Sequence, residues 1–286
     1  MSPAKDERRI VDAGDGLLLH VERAGDGPPL VLLHGFTGSV ETWAPLRAVL
    51  GRTLTTIAVD LPGHGRSSAP GKPERYALER LADDLTRALD ALACDRVALL
   101  GYSMGGRAAL TFALRHPDRL AALVLESTSA GIADAARRAE RLASDTALAD
   151  GIERDGVRAF VDRWERLPLW KSQRTLPAAE RARLRAQREA NIASGLANSL
   201  RGAGAGVDDP VLDRLPEITT PVLLIVGELD PPYVAVGRDM ERIFPRARLA
   251  VVSDAGHAVH LERPEAFADA VGAFLRELPS AAARWR

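Results

Sequence analysis

The chain has 286 residues, 46% of them apolar, with 38 basic and 39 acidic side chains and a formal net charge of −1. That length and apolar content suit one α/β domain carrying an insertion, and the balanced charge excludes a bulk field that would draw in nucleic acid or a membrane. The one cysteine, Cys94, excludes an internal disulfide framework and reads as a small buried hydrophobe near a helix end.

The first ten residues are charged and lack the apolar stretch of a signal peptide, and no run approaches the ~18 apolar residues of a membrane span. A cytoplasmic protein without membrane insertion is expected. Strand-length apolar runs then follow at residues 17–21, 30–33 and 55–59. A helical pattern covers 78–92, a strand 97–100, a helix 105–115 and a strand 120–125. After a long gap come a strand at 222–226, a helix at 234–243, a strand at 249–252 and a helix at 264–278, opened by Pro264 and Glu265. Several strands are continuous apolar runs rather than alternating ones, as in a parallel sheet buried on both faces. The expected fold class is α/β, a mostly parallel sheet flanked by helices.

The alternation stops between residues 129 and 216, where Ala, Arg, Leu and Glu recur at helical spacing. We read a helical cap at 129–216 inserted into a core made of 1–128 and 217–286. The glycines at 202–206 and Asp208-Asp209-Pro210 mark the flexible return.

The run at 97–100 leads into Gly101-Tyr102-Ser103-Met104-Gly105 and then a helix. Strand, sharp turn and helix are the context in which G-x-S-x-G becomes a nucleophile elbow. Ser103 then needs a base, and the base an orienting carboxylate, in the chain order Ser, acid, His. Asp230 lies just past the strand at 222–226, before what reads as a Pro231-Pro232 turn; Glu228 competes but sits against the strand end. His257 leaves the sheet directly after Gly256, with His260 as the competing base. Both preferred residues, like Ser103, fall beyond strand carboxyl ends. The backbone N–H groups of Phe36, after the His34-Gly35 turn, and of Met104 are the expected oxyanion donors. His34 and His64 read as loop architecture, and His20 and His116 as surface or packing residues.

No His/Cys/Asp cluster has metal-ligand spacing, and no G-x-G-x-x-G or Walker loop opens a helix, so neither metal nor nucleotide cofactor is expected. Most cap arginines are balanced by acids and read as solvated helix faces. Arg107 stands apart, one helical turn after Ser103, where its fork suits a carboxylate.

The segments Leu33-His34-Gly35-Phe36-Thr37-Gly38, Val59 to Ser67 and Gly101 to Arg107 resemble the α/β-hydrolase superfamily. Together with Arg138 to Leu142, Trp164, Pro168-Leu169-Trp170, Arg188 and Ser199 to Gly202, the chain resembles the 2-succinyl-6-hydroxy-2,4-cyclohexadiene-1-carboxylate synthases of menaquinone biosynthesis, from about residue 30 to 275. That resemblance implies a lyase that eliminates pyruvate from a tricarboxylate, with Ser103, His257 and Asp230 as a proton-abstracting triad. It implies that Arg107, Arg141 and Arg188 converge on the substrate's carboxylates, with Tyr102 and Trp164 as further substrate-binding positions. The family commonly has a basic residue after the acid, where this chain has Pro231. A serine carboxylesterase or C–C bond hydrolase uses the same triad and stays open as the alternative.

Overall fold

In the computed structural model, residues 7–278 are described. Eight strands form one sheet: β1 (Glu7–Asp12), β2 (Leu18–Ala24), β3 (Pro29–Leu33), β4 (Thr55–Val59), β5 (Val97–Tyr102), β6 (Leu120–Glu126), β7 (Val222–Gly227) and β8 (Ala247–Val252). Their order is β1-β2-β4-β3-β5-β6-β7-β8. β2 pairs antiparallel with both β1 and β4, and every other neighbouring pair is parallel.

Burial on both faces explains the continuous apolar runs. In β3, Val31 and Leu33 face one core, while Leu30 and Leu32 face the other. The first core is closed by α2 (Leu78–Ala91), α3 (Met104–Arg115) and α7 (Pro231–Ile243), the second by α1 (Ala44–Leu50) and α9 (Pro264–Arg276). Period-2 alternation inside each strand thus fills two layers at once.

Three differences from the sequence reading have local causes. β1 (ERRIVD) buries one residue, Val11, and pairs on one side only, so its polar sequence carries no strand signal. Pro231 and Pro232 do not form a turn but start α7, because the first helical positions need no backbone N–H and favour a fixed φ. The short helix α8 (Val259–Glu262) has no counterpart among the expected elements, because four residues are too few for a periodicity.

Between β6 and β7 lie α4 (Ala135–Trp164), α5 (Ala178–Glu189) and α6 (Ala193–Ala203), with short 3-10 turns at Pro168–Trp170 and Ser172–Thr175. Asp134 caps α4, accepting from the backbone of Arg137 at 2.8 Å. α4 and α6 bury their own small core of Ala149, Ile152, Phe160, Val161, Leu196, Ala197 and Leu200, against which Phe36, on the turn after β3, also packs.

The sheet order reverses around β3, whose neighbours are β4 on one side and β5 on the other. The crevice beyond the carboxyl ends of β3 and β5 is therefore the topological switch point, where ligands of open α/β sheets bind.

Candidate active site

Ser103 occupies that crevice, on the turn between β5 and α3, with φ 51° and ψ −111°. A non-glycine residue rarely holds positive φ, and here the neighbours enforce it. A Cβ on Gly101 would come within 2.3 Å of the Gly105 carbonyl oxygen, and one on Gly105 within 2.3 Å of that of Leu33. The Ser103 backbone is pinned as well: its N–H donates to the Glu126 carbonyl at 2.9 Å, and its carbonyl accepts from the Thr128 hydroxyl at 2.7 Å.

The Ser103 hydroxyl donates to Nε2 of His257 at 3.2 Å. On the far side of the ring, Nδ1 donates to Oδ2 of Asp230 at 2.7 Å. That bond selects the tautomer whose Nε2 lone pair faces Ser103. His257 and Asp230 are both buried, so the relay lies out of bulk water. The competitors are engaged elsewhere. Glu228 accepts from the Asp254 backbone at 3.4 Å. His260 is buried against Glu126, with Nδ1 2.8 Å from each carboxylate oxygen. Its neighbour Glu262 accepts from the Gly256 backbone at 2.7 Å, tethering the loop that delivers His257.

Phe36 and Met104 line the same cavity as Ser103. Met104 begins α3, so its N–H belongs to the first-turn donors that lack an intrahelical acceptor and carry the positive end of the helix dipole. The turn bearing Phe36 is braced by two neutral histidines. Nδ1 of His34 donates to the Gly35 carbonyl at 2.8 Å, and its Nε2 accepts from the Leu61 backbone at 3.0 Å. Burial, with His64 close by, lowers His34 to about 3; burial lowers His64 to about 4. His20 is buried, with Nδ1 2.8 Å from Asp60, and His116 is half-buried, 2.9 Å from Asp83. Cys94 is buried just past the C-terminal end of α2, its backbone N–H donating to the Leu89 carbonyl at 2.9 Å.

The cavity measures about 150 Å³ and is walled by Tyr102, Arg107, Thr128, Arg141, Asp145, Trp164, Trp170, Ser199 and Tyr233 besides the residues above. Tyr102, Trp164, Arg107 and Arg141 are thus brought together around Ser103. Arg107, however, already holds Asp208 and the Ala203 carbonyl. Arg141 bonds both oxygens of Asp145 through Nε, at 2.8 and 2.9 Å.

Arg188 is not in the wall of this cavity itself; it lines an adjoining cleft together with Phe36, Tyr102 and Trp170, which wall both spaces. It also lines a second cleft that shares Trp170 as a wall. There it donates to Glu165 at 2.9 Å and to Gln173 at 3.0 Å, with its guanidinium 5.4 Å from the Trp170 ring centroid. Trp170 in turn meets the ring of His257 edge-on, 5.7 Å between centroids.

Tyr233, Trp170 and Asp208 are site features that the sequence reading did not assign. Tyr233 stands edge-on to His257 at 4.6 Å, and burial beside Asp230 pushes its phenol up. It is the first residue after the two prolines that start α7, and those prolines aim it. The helix-start chemistry of Pro231-Pro232 was the signal that could have found it.

The α/β-hydrolase fold family model matches residues 28–264. A Bacillus subtilis (strain 168) protein provisionally named 2-succinyl-6-hydroxy-2,4-cyclohexadiene-1-carboxylate synthase is 42% identical over 94% of this chain and 98% of its own length. The enzyme of that name from Serratia proteamaculans (strain 568) is 30% identical over 87% of this chain and 94% of its own. The chain belongs to this synthase family. Among solved structures, MenH from S. aureus superposes with a TM-score of 0.84 at 32% identity, covering 97% of this chain and 99% of that one. A thermophilic esterase from Thermogutta terrifontis, solved with malate bound, also reaches 0.84, at 28% identity over 96% and 99%. Likeness to the synthases spans the helices between β6 and β7 as well as the sheet. Among the described residues, no helix is long and apolar enough to cross a membrane.

Proposed function

We propose that this chain is a 2-succinyl-6-hydroxy-2,4-cyclohexadiene-1-carboxylate synthase of menaquinone biosynthesis, a carbon–oxygen lyase that uses its triad as a base. The substrate is 2-succinyl-5-enolpyruvyl-6-hydroxy-3-cyclohexene-1-carboxylate. Ser103 takes a proton from a ring carbon as His257, oriented by Asp230, accepts the hydroxyl proton. The electron pair left on the ring delocalises onto the succinyl carbonyl oxygen, held by the N–H groups of Phe36 and Met104. An oxyanion hole stabilises an enolate by the same means as a tetrahedral oxyanion, each donor being worth about 3 kcal/mol. Collapse of the enolate breaks the C–O bond to the enolpyruvyl group, which leaves as pyruvate after taking up the proton stored on His257. The helices of 129–216 act as a cap over the site, with Tyr102 and Trp164 shaping the substrate pocket and Arg107 and Arg141 meeting its carboxylates.

One observation carries this reading: a single cavity brings the Ser103–His257–Asp230 relay together with two guanidiniums. An ester pocket for neutral substrates has no need of buried cations. The test is pyruvate release from the enolpyruvyl substrate by the purified enzyme. Ser103→Ala is expected to lower it on the order of 10^4-fold. Wild-type enzyme that releases no pyruvate yet hydrolyses p-nitrophenyl acetate would replace the lyase with a hydrolase. The strained Ser103 elbow and the likeness to the esterase fold support that second reading.

A further inference from the structure

One of the cavity's two guanidiniums, Arg107, is already occupied from within the chain. Asp208, 101 residues from Arg107 in sequence, takes Nη1 of that guanidinium, and the Ala203 carbonyl takes Nη2. Side-chain exposure is 11% for Arg107 and 14% for Asp208, so water screens the pair weakly. Arg107 lines two spaces. One is the cavity of Ser103; the other is an outer pocket of about 90 Å³ whose wall also holds Asp208, Asp209, Glu79 and Arg214. Asp208 belongs to the outer pocket alone, so the guanidinium stands between an internal carboxylate and the reacting centre.

We propose that Asp208 is a specificity-determining residue: it neutralises Arg107 while the cavity is empty, and an anionic group entering the cavity must take the guanidinium from it. The proposal rests on the reading of this cavity as a site for a carboxylate-bearing substrate. A buried arginine with no counterion is costly, which gives the free enzyme a reason to supply one. A tethered carboxylate then competes at high effective concentration, and a lone monoanion displaces it poorly. A ligand with several carboxylates, held also by Arg141, gains the second anchor that the exchange requires. Asp208 thus filters for polyanions.

The charged surroundings make the filter sensitive to pH. Asp208 faces Arg107 from α3, Glu79 from α2 and Asp209 from its own segment, with Arg115 and Arg214 also lining the outer pocket. Arg107 itself faces Arg141 and Asp145 on α4 and Tyr233 on α7. Burial, added to by Glu79 and Asp209, pushes the Asp208 carboxyl up to about 6 against the pull of Arg107. Below that pH the protonated group no longer holds the guanidinium as an anion.

The test is calorimetric binding of 1,2-ethanedisulfonate, a dianion whose charge does not change between pH 5 and pH 8, to the wild-type chain and to Asp208→Asn. Asparagine keeps the shape and an acceptor oxygen while removing the charge. At pH 7.5 the variant is expected to bind at least about fivefold more tightly, with the gap shrinking below about twofold at pH 5. Equal or weaker binding by the variant at pH 7.5 would overturn the proposal, as would a gap that does not depend on pH. Asp208→Ser, checked by thermal melting alongside Asp208→Asn, must give the same sign. Should neither variant fold, wild-type affinity that fails to tighten between pH 7.5 and pH 5 also overturns it. Pyruvate release, measured separately, keeps the two readings apart: the binding gap without pyruvate release removes the lyase and leaves the filter standing, and release without the gap does the reverse.

Discussion

Arg141 is the cation that the cavity can offer a ligand most readily, because its bonds to Asp145 run through Nε and leave the Nη edge of the fork outside that pair. A charge-assisted hydrogen bond contributes about 1.5–3 kcal/mol, or roughly 10- to 150-fold in affinity. Arg141→Ala is therefore expected to raise KM for the tricarboxylate by that factor while kcat changes little. p-Nitrophenyl acetate, which has no carboxylate, should keep its KM, and a parallel rise for that ester would mean damage to the fold instead. The contrast with Arg188 shows what residue-level reading can reach. Ser103, Asp230 and His257 were legible because each role depends on local context, a strand end followed by a turn. The partners of Arg107 and Arg188 were not, since Asp208 lies 101 residues away and Gln173 lies 15 away across a bend. Sequence spacing tells that an arginine is near the site; it does not tell which carboxylate reaches it first.

Among the elements, α4 carries the feature with the clearest energetic signature. Its 30 residues are interrupted at Gly156, with φ 83° and ψ 164°, so two helical segments meet at a kink. That backbone region is open to glycine almost alone. The kink turns the second segment so that Phe160 and Val161 enter the small core with α6 and Trp164 reaches the cavity wall. No atom lies within 4 Å of where a Cβ on Gly156 would sit, so an alanine there meets strain in the backbone and none from packing. Gly156→Ala is expected to lower unfolding stability by about 1–3 kcal/mol, read from urea midpoints. An unchanged midpoint would mean that the kink has another cause. The kink was not visible in the sequence, where helical spacing of apolar residues runs past the glycine without a break. Strands with two buried faces announced themselves as apolar runs, whereas β1, polar and paired on one side, did not.

For the molecule as a whole, groups buried in the wrong charge state link stability to pH. His34 and His64 are neutral in the fold and held near 3 and 4, against 6.5 when exposed. The unfolded chain therefore takes up protons first as pH falls, and the stability these rings contribute is present above 6.5 and lost as pH drops toward 4. Asp208 acts in the opposite sense. Its folded value of about 6 lies above the ordinary 3.8, so between those limits the native state binds the proton first and gains stability on acidification. Across a change from pH 7.5 to pH 4.5 that gain amounts to about 2 kcal/mol. Asp60, also raised by burial, pulls the same way as Asp208. Wild type and Asp208→Asn should then differ in slope: measured by urea unfolding at the two pH values, the variant loses about 2 kcal/mol more stability than the wild type on acidification. The difference isolates Asp208, because both histidines and Asp60 are common to the two chains. Equal losses would show that the Asp208 carboxyl titrates in the fold as it does in the open chain, the pull of Arg107 then balancing the push of burial.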